Sequence, residues 1–437
     1  MNLLLDETHD PATRSWVESA NDPDGDFPLQ NLPLGVFRPK GTDGRRIGIA
    51  IGGMMLDLGA ASESGLLDAL DPALLAALSA PSLNALMALG RRASQELRFA
   101  AHGLLRAGSR RAKEAERCLV DQTGADLLLP AEVGDYADFY ASVHHATNVG
   151  SMFRPDQPLM PNYKWVPIGY HGRASSLVPG GTPIRRPAGQ TREDAAQAPV
   201  LGPTRALDYE CELAGWIGTG NRLGEPVPIG AAEQQLFGLG LLNDWSARDV
   251  QRWEYQPLGP FLAKSFATTV SPWVVTLEAL EPFRIPVLPR PAGDPEPLPY
   301  LDSEENRIRG GFELELSVYL ASARMRQERL APMRLSRCAA STLYWTMAQL
   351  LTHLASNGAN LRPGDLLASG TVSGAAKDSL GCLLELTWRG RDPIALPSGE
   401  TRRFLEDGDE VTIRGRCSRE GFAGIGFGAC AGTIVAT

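Results

Sequence analysis

The chain has 437 residues, 43% of them apolar and 21% charged, with a formal net charge of −9. Such a length allows two or three domains and a large core, and the acidic balance argues against a nucleic-acid backbone or an anionic membrane as the main partner. No apolar run approaches the roughly 20 residues of a membrane span.

The N-terminal MNLLLDETHDPATRSW has no basic segment ahead of an apolar one, so no signal peptide is read there. The six cysteines, Cys118, Cys211, Cys338, Cys382, Cys417 and Cys430, never fall as CxxC. Neither a disulfide framework nor structural zinc is expected, and a reducing cytoplasm fits best. With 46 glycines and 33 prolines the chain suits many short strands and turns. FPLQNLPLGVF and RRIGIAIGGMMLDLG predict a small β-barrel or sandwich at the N-terminus. From LLDALDPALLAALSA through SLNALMALGRRASQELRFAAHGLLR the apolar spacing turns helical, and a domain boundary is expected near AEVGDYADF. Further on, GFELELSVYL predicts a strand with Phe312, Leu314, Leu316, Val318 and Leu320 on one face. STLYWTMAQLLTHLASNG predicts a helix with Leu343, Met347, Leu350, Leu351 and Leu354 as its stripe, ended at Asn357-Gly358. LPRPAGDPEPLPY reads as a loop or spacer.

Four stretches carry candidate chemistry. In ALDYECELAGW, read as a strand, Asp208, Glu210 and Glu212 share a face. Carboxylates two residues apart lie about 7 Å apart at the backbone and can converge on one hard cation; the alternative is a solvated strand face. In LLNDWSARDVQRW, a strand is expected to run into a helix that begins near Asn243-Asp244. Asp244, Arg248 and Gln251 then share a helical face fit for a metal and an oxyanion. The alternative is an N-cap with an Asp–Arg ion pair. In LGPFLAKSFATTVSPW, Lys264 between apolar segments either pairs with an anion or snorkels to water. In GCLLELTW, read as a strand, Glu385 is partly buried and needs a donor, unless it points outward from an edge.

The stretch DFYASVHHATN holds His144 and His145 side by side. If it is helical from Asp138, His145 returns to the Asp138 face, because two turns take about 7.2 residues, while His144 lies about 120° away. A structural histidine is the alternative.

Taken in order, GDYADFYASVHHATNVGSMFR, VPIGYHGRASS, LDYECELAGW, LLNDWSARDVQRWEYQPLGPFLAKSFATTVSPWVV, NLRPGDLLASGTVSG and GIGFGACAGTIV closely resemble the fumarylacetoacetase (fumarylacetoacetate hydrolase) family. The resemblance implies a mainly β (α+β) fold. A small SH3-like β-barrel with a helical connector would span residues 1–129, and a large mixed β-sandwich roll, the catalytic domain, would span 130–437. It implies a cytoplasmic homodimer that hydrolyses the carbon–carbon bond of 4-fumarylacetoacetate to fumarate and acetoacetate, the end of tyrosine and phenylalanine breakdown. Carried over residue by residue, Asp138, Glu210, Glu212 and Asp244 would bind calcium (Ca2+), and His145, oriented by Glu385, would be the base. Arg248, Gln251 and Lys264 would stabilise the oxyanion, and Tyr140, Arg154, Tyr170, Gln251, Tyr255 and Thr371 would grip the substrate. A second cation, magnesium (Mg2+), would sit near Asp244, Lys264 and Thr268. A protonated lysine cannot ligate a cation, so the Lys264 contact would run through its backbone carbonyl. Three other readings stand beside this one. The first is a superfamily relative acting on another oxo-acid. The second is a cation-binding protein without catalysis, which would lack the Arg248–Gln251–Lys264 set. The third takes GIGFGACAG as a nucleotide loop, and no helix pattern follows it.

Overall fold

The computed structural model describes residues 5–437; Met1–Leu4, part of the segment read above for targeting, lie outside the described residues. The molecule is a mixed α/β, sheet-rich protein built around two sheets. The first has thirteen strands. It runs from Leu119–Asp121 through Met54–Asp57, Arg46–Ile51 and Leu34–Pro39 into Trp273–Thr276. It continues through Leu236–Asp244, Cys211–Ile217, Leu366–Ala368 and Tyr136–Phe139 to Gly169–His171. The N-terminal strands are thus continuous with the later ones: Leu34 pairs with Val274 and Gly35 with Trp273. Among the described residues their pairing traces no closed ring. The second sheet orders Met333–Ala339, Leu314–Ala321, Glu410–Cys417, Ile425–Val435 and Ile184–Arg185.

The strand Cys211–Ile217 shows how the layers stack. All seven residues are buried, so both faces are covered. Leu213 packs with Leu239, Leu316, Val318, Ile413 and Phe427 between the two sheets. Ala214 and Trp216, of opposite parity, pack against the N-terminal helical layer with Leu86, Leu97, Ala101 and Leu105. The last three belong to the long helix Gly90–Leu105. The expected apolar face Phe312 to Leu320 is buried throughout. The helix predicted in STLYWTMAQLLTHLASNG is shorter than its stripe. A capping box at Thr346 and Gln349 starts it, it spans Met347–Ala355, and Leu343 precedes it. Among the described residues no helix is long and apolar enough to cross a membrane.

Candidate active site

One end of the first sheet gathers the acids, and register explains how. Asp138 pairs with Tyr170 on one side and Ala368 on the other. Ala368 pairs with Ala214, two residues beyond Glu212. Glu212 pairs with Leu242, and Asp244 pairs with Thr268. Three strands therefore deliver Asp138, Glu212 and Asp244 to one spot, where an oxygen of each lies within 4.8 Å of the others.

The geometry corrects several expectations. Asp138 lies on the strand Tyr136–Phe139 and not on the histidine helix, which spans Val143–Phe153. The helical-face argument joining it to His145 therefore fails. Ser142 caps the helix by accepting from the His145 N–H, and the strand-to-helix turn brings the two residues to one cavity. Asp244 ends the strand Leu236–Asp244, and the following helix begins at Arg248. No helical face joins them, and Arg248 pairs with Asp208 and Glu210 instead. ALDYECELAGW breaks into Leu207–Asp208 and Cys211–Ile217, and its three acids are buried, not a solvated face. Lys264 is buried and paired, not snorkelling: its ammonium contacts Glu210 and lies 2.8 Å from Asp244. Glu385 sits on a one-turn helix, Leu383–Leu386, not on a strand.

A cavity of about 430 Å³ opens above these groups. Asp138, Tyr140, His145, Arg154, Tyr170, Glu210, Arg248, Gln251, Tyr255, Lys264 and Thr371 all line it. Glu212, Asp244, Thr268 and Glu385 do not line it, but they bind residues that do or sit beside them. Thr268 donates to Asp244 at 2.8 Å, Glu212 accepts from the Gly370 N–H at 3.1 Å, and Glu385 holds His145. Gly370 is required there: its φ is +74° and a Cβ would stand 2.0 Å from the Phe139 carbonyl. Tyr170 turns to the acids, donating to Asp244 at 2.8 Å and Asp138 at 3.1 Å. His144 is half-buried and does not line the cavity.

His145 Nδ1 lies 2.6 Å from Glu385 Oε2, and its ring packs edge-on to Tyr140 at 5.3 Å. Glu385 also accepts from Asn148 Nδ2 at 2.8 Å and Ser373 Oγ at 2.8 Å, with the Cys382 thiol at 3.2 Å. Burial pushes the Glu385 carboxyl up, but the charge and hydrogen bond of His145 outweigh it and hold it below its ordinary value. Nδ1 is thereby committed to Glu385, which leaves Nε2 for the cavity. Sequence reasoning missed Asn148 and Ser373. Asn148 had a signal, since it stands three residues after His145 and a helix places such residues together.

The electrostatics call for a cation. Burial, then Asp244, push Asp138 well above the usual carboxylate range, and burial with Asp138 does the same to Glu212. Glu210 goes the other way: against burial, Lys264 and Arg248 hold it well down. Asp138 Oδ1 and Glu212 Oε1 are buried with no hydrogen-bond partner. Orphaned buried acceptors from an all-oxygen set suit a hard divalent ion such as calcium or magnesium, not zinc. Both Glu210 oxygens are engaged, by Arg248 and Lys264.

An imidazole poised on a buried carboxylate, a buried acid cluster with unpartnered oxygens and two buried cationic side chains around one cavity have the makeup of an enzyme active site with room for a divalent ion. The chain belongs to the fumarylacetoacetase family. Residues 30–130 match the model described as Fumarylacetoacetase N-terminal, and residues 135–435 match Fumarylacetoacetate (FAA) hydrolase C-terminal. The chain is 49% identical to the fumarylacetoacetase of Homo sapiens over 422 residues, 94% of this chain and 97% of that one. It is 48% identical to that of Bos taurus over 424 residues, with the same coverages. It is 45% identical to that of Arabidopsis thaliana over 427 residues, 97% of this chain and 98% of that one. Among solved structures, a fumarylacetoacetate hydrolase from Exiguobacterium antarcticum aligns at 18% identity and a TM-score of 0.48, covering 93% of this chain and 100% of that one.

Proposed function

We propose that this chain is a hydrolase that cleaves the carbon–carbon bond of 4-fumarylacetoacetate, giving fumarate and acetoacetate. The observation that carries this is the 2.6 Å His145–Glu385 pair opening onto the same cavity as the acid cluster, in a chain so similar to curated fumarylacetoacetases over nearly its whole length.

Glu385 holds the proton on Nδ1, so Nε2 takes a proton from water, as in a serine triad with water in place of serine. The water oxygen bonds to the carbonyl carbon next to the fumaryl group, and the carbonyl oxygen becomes negative. Lys264, Gln251 and Arg248, whose buried Nη2 has no partner, are the donors for that oxyanion. When the adduct collapses, the carbon–carbon bond breaks. Its electron pair leaves on the acetoacetate carbon, which His145 reprotonates. Tyr140, Arg154, Tyr170, Tyr255 and Thr371 grip the substrate, whose two terminal carboxylates suit arginine and tyrosine. Asp138, Glu212 and Asp244, with Glu210 beside them, would hold a divalent ion, Ca2+ or Mg2+, which supplies Lewis-acid polarisation of a β-diketone. In the same reading Asp244, Thr268 and the Lys264 carbonyl would hold the second ion, Mg2+.

In this reading residues 1–129 are an SH3-like module with a helical connector, residues 130–437 are the catalytic domain, and the protein works as a cytoplasmic homodimer. The test is loss of fumarylacetoacetate absorbance with and without Mg2+ or Ca2+. Turnover should vanish after exhaustive EDTA dialysis and return with either ion. Full turnover after dialysis excludes the cation from the reaction, and no turnover under any condition sinks the assignment.

A further inference from the structure

Asp208 does not line the cavity, yet it is fully buried and all its acceptor capacity is spent on the site's framework. Oδ1 accepts from the N–H groups of Tyr209 and Leu383, each at 2.8 Å. Oδ2 accepts from Arg248 Nε and the Leu384 N–H, each at 2.9 Å. Strand pairing sets this up, since Asp208 lies opposite Ser246 and Leu207 opposite Ala247, the residue before Arg248.

We propose that Asp208 is a positioning residue for the reaction, one carboxylate that sets both the guanidinium of Arg248 and the turn that carries Glu385. The inference rests on the functional reading above. Leu383–Leu386 is a single helical turn, and Cys382 supplies no side-chain cap. A single turn has no stability of its own, and its first N–H groups lack partners within it. Asp208 satisfies two of them and so fixes where Glu385, two residues past Leu383, begins. On the other side, Arg248 is planar and its bonds are directional. Nε is held by Asp208, and Nη1 is held by Glu210 at 2.7 Å and Gln251 at 3.2 Å. Those bonds fix the plane and aim the unpartnered Nη2. The base and an oxyanion donor thus share one anchor.

All four partners are N–H donors, so only a carboxylate serves. In Asp208→Asn the amide NH₂ meets two of them, whichever way the side chain is turned. The experiment is a double-mutant cycle on the full chain, with Asp208→Asn, Glu385→Gln and the double variant assayed on fumarylacetoacetate with cation present. Asp208→Asn should lower kcat about 100-fold, with KM changed less than about threefold. In the Glu385→Gln background the same change should cost about tenfold or less, the share that acts through Arg248. A full 100-fold loss in both backgrounds, or a variant with normal kcat, overturns the proposal while leaving the hydrolase reading intact. An inactive wild type sinks that reading instead. If Asp208→Asn does not fold, amide exchange of the wild type decides. Leu383 and Leu384 must be protected, and exchange at the rate of unstructured amides overturns the inference.

Discussion

Replacing Glu385 by Gln isolates what the carboxylate does for His145. Glu385 is buried and accepts from His145 Nδ1 at 2.6 Å and Ser373 Oγ at 2.8 Å on one oxygen, and from Asn148 Nδ2 at 2.8 Å on the other. Glutamine has one acceptor and one NH₂. If the NH₂ faces Asn148, two buried donors oppose each other, which costs about 1–3 kcal/mol. If it faces His145, the Ser373 hydroxyl can rotate and the imidazole can accept, so this arrangement wins. The imidazole proton then moves to Nε2, the nitrogen left for the cavity, and the base is gone. An imidazolium, if it forms, also loses its counter-charge. The expected loss in kcat is about 10³–10⁴-fold, or about 4–5.5 kcal/mol at 1.36 kcal/mol per decade. The assay is the absorbance loss of fumarylacetoacetate at saturating substrate, with a thermal melt as control. A variant within tenfold of the wild-type kcat refutes the tautomer argument.

The same substitution carries a pH signature. Glu385 titrates below its ordinary 4.5 in the folded protein, since His145 and its hydrogen-bond donors outweigh burial. Its stabilisation is therefore complete above the unfolded value and fades as pH falls through the folded one. The stability gap between wild type and Glu385→Gln should narrow in acid below about pH 4.5, as followed by denaturant titration; a gap that widens there contradicts the shift.

Two further outcomes follow from the same geometry. His145→Ala should lose at least as much kcat as Glu385→Gln, about 10³–10⁴-fold, with cation content unchanged, whereas His144→Ala, outside the cavity, should keep most activity; a dead His144 variant with an active His145 one reverses the assignment. Arg98 is fully buried and donates to Thr8 Oγ1, Asn31 O and Gln30 O at 2.8, 2.8 and 2.6 Å, while burial pulls its pKa down to about 10. Arg98→Met strands those acceptors and should lower unfolding free energy by about 3 kcal/mol, seen as an earlier urea midpoint; an unchanged midpoint means the cluster contributes nothing net.

How far the sequence reaches can be judged element by element. The strand Leu314–Ala321 was legible because one face is buried and period-two alternation survives in the letters, although Phe312, read as part of it, lies on a separate short strand, Gly311–Phe312. GCLLELTW was not. Its apolar run reads as a strand, yet it forms one helical turn because Asp208, 175 residues earlier in the chain, accepts from the Leu383 N–H. No local propensity reports a cap supplied from that distance. DFYASVHHATN misled differently. Its seven-residue spacing fits a helix, but pairing of Asp138 with Ala368 and Tyr170 claims the first residues for the sheet. Tertiary pairing thus overrode a periodic pattern.

The acids show where such reading stops. The family resemblance named Asp138, Glu210, Glu212 and Asp244 as cation ligands, but only register brings the carboxylates of Asp138, Glu212 and Asp244, from three strands, within 4.8 Å. A one-residue slip of any of these strands would turn its carboxylate to the opposite face. The apolar residues beside them, Ala214 with Ala368 and Leu242 with Val270, hold that register through core packing. The core on one face of the sheet therefore decides whether the charged end can bind an ion at all.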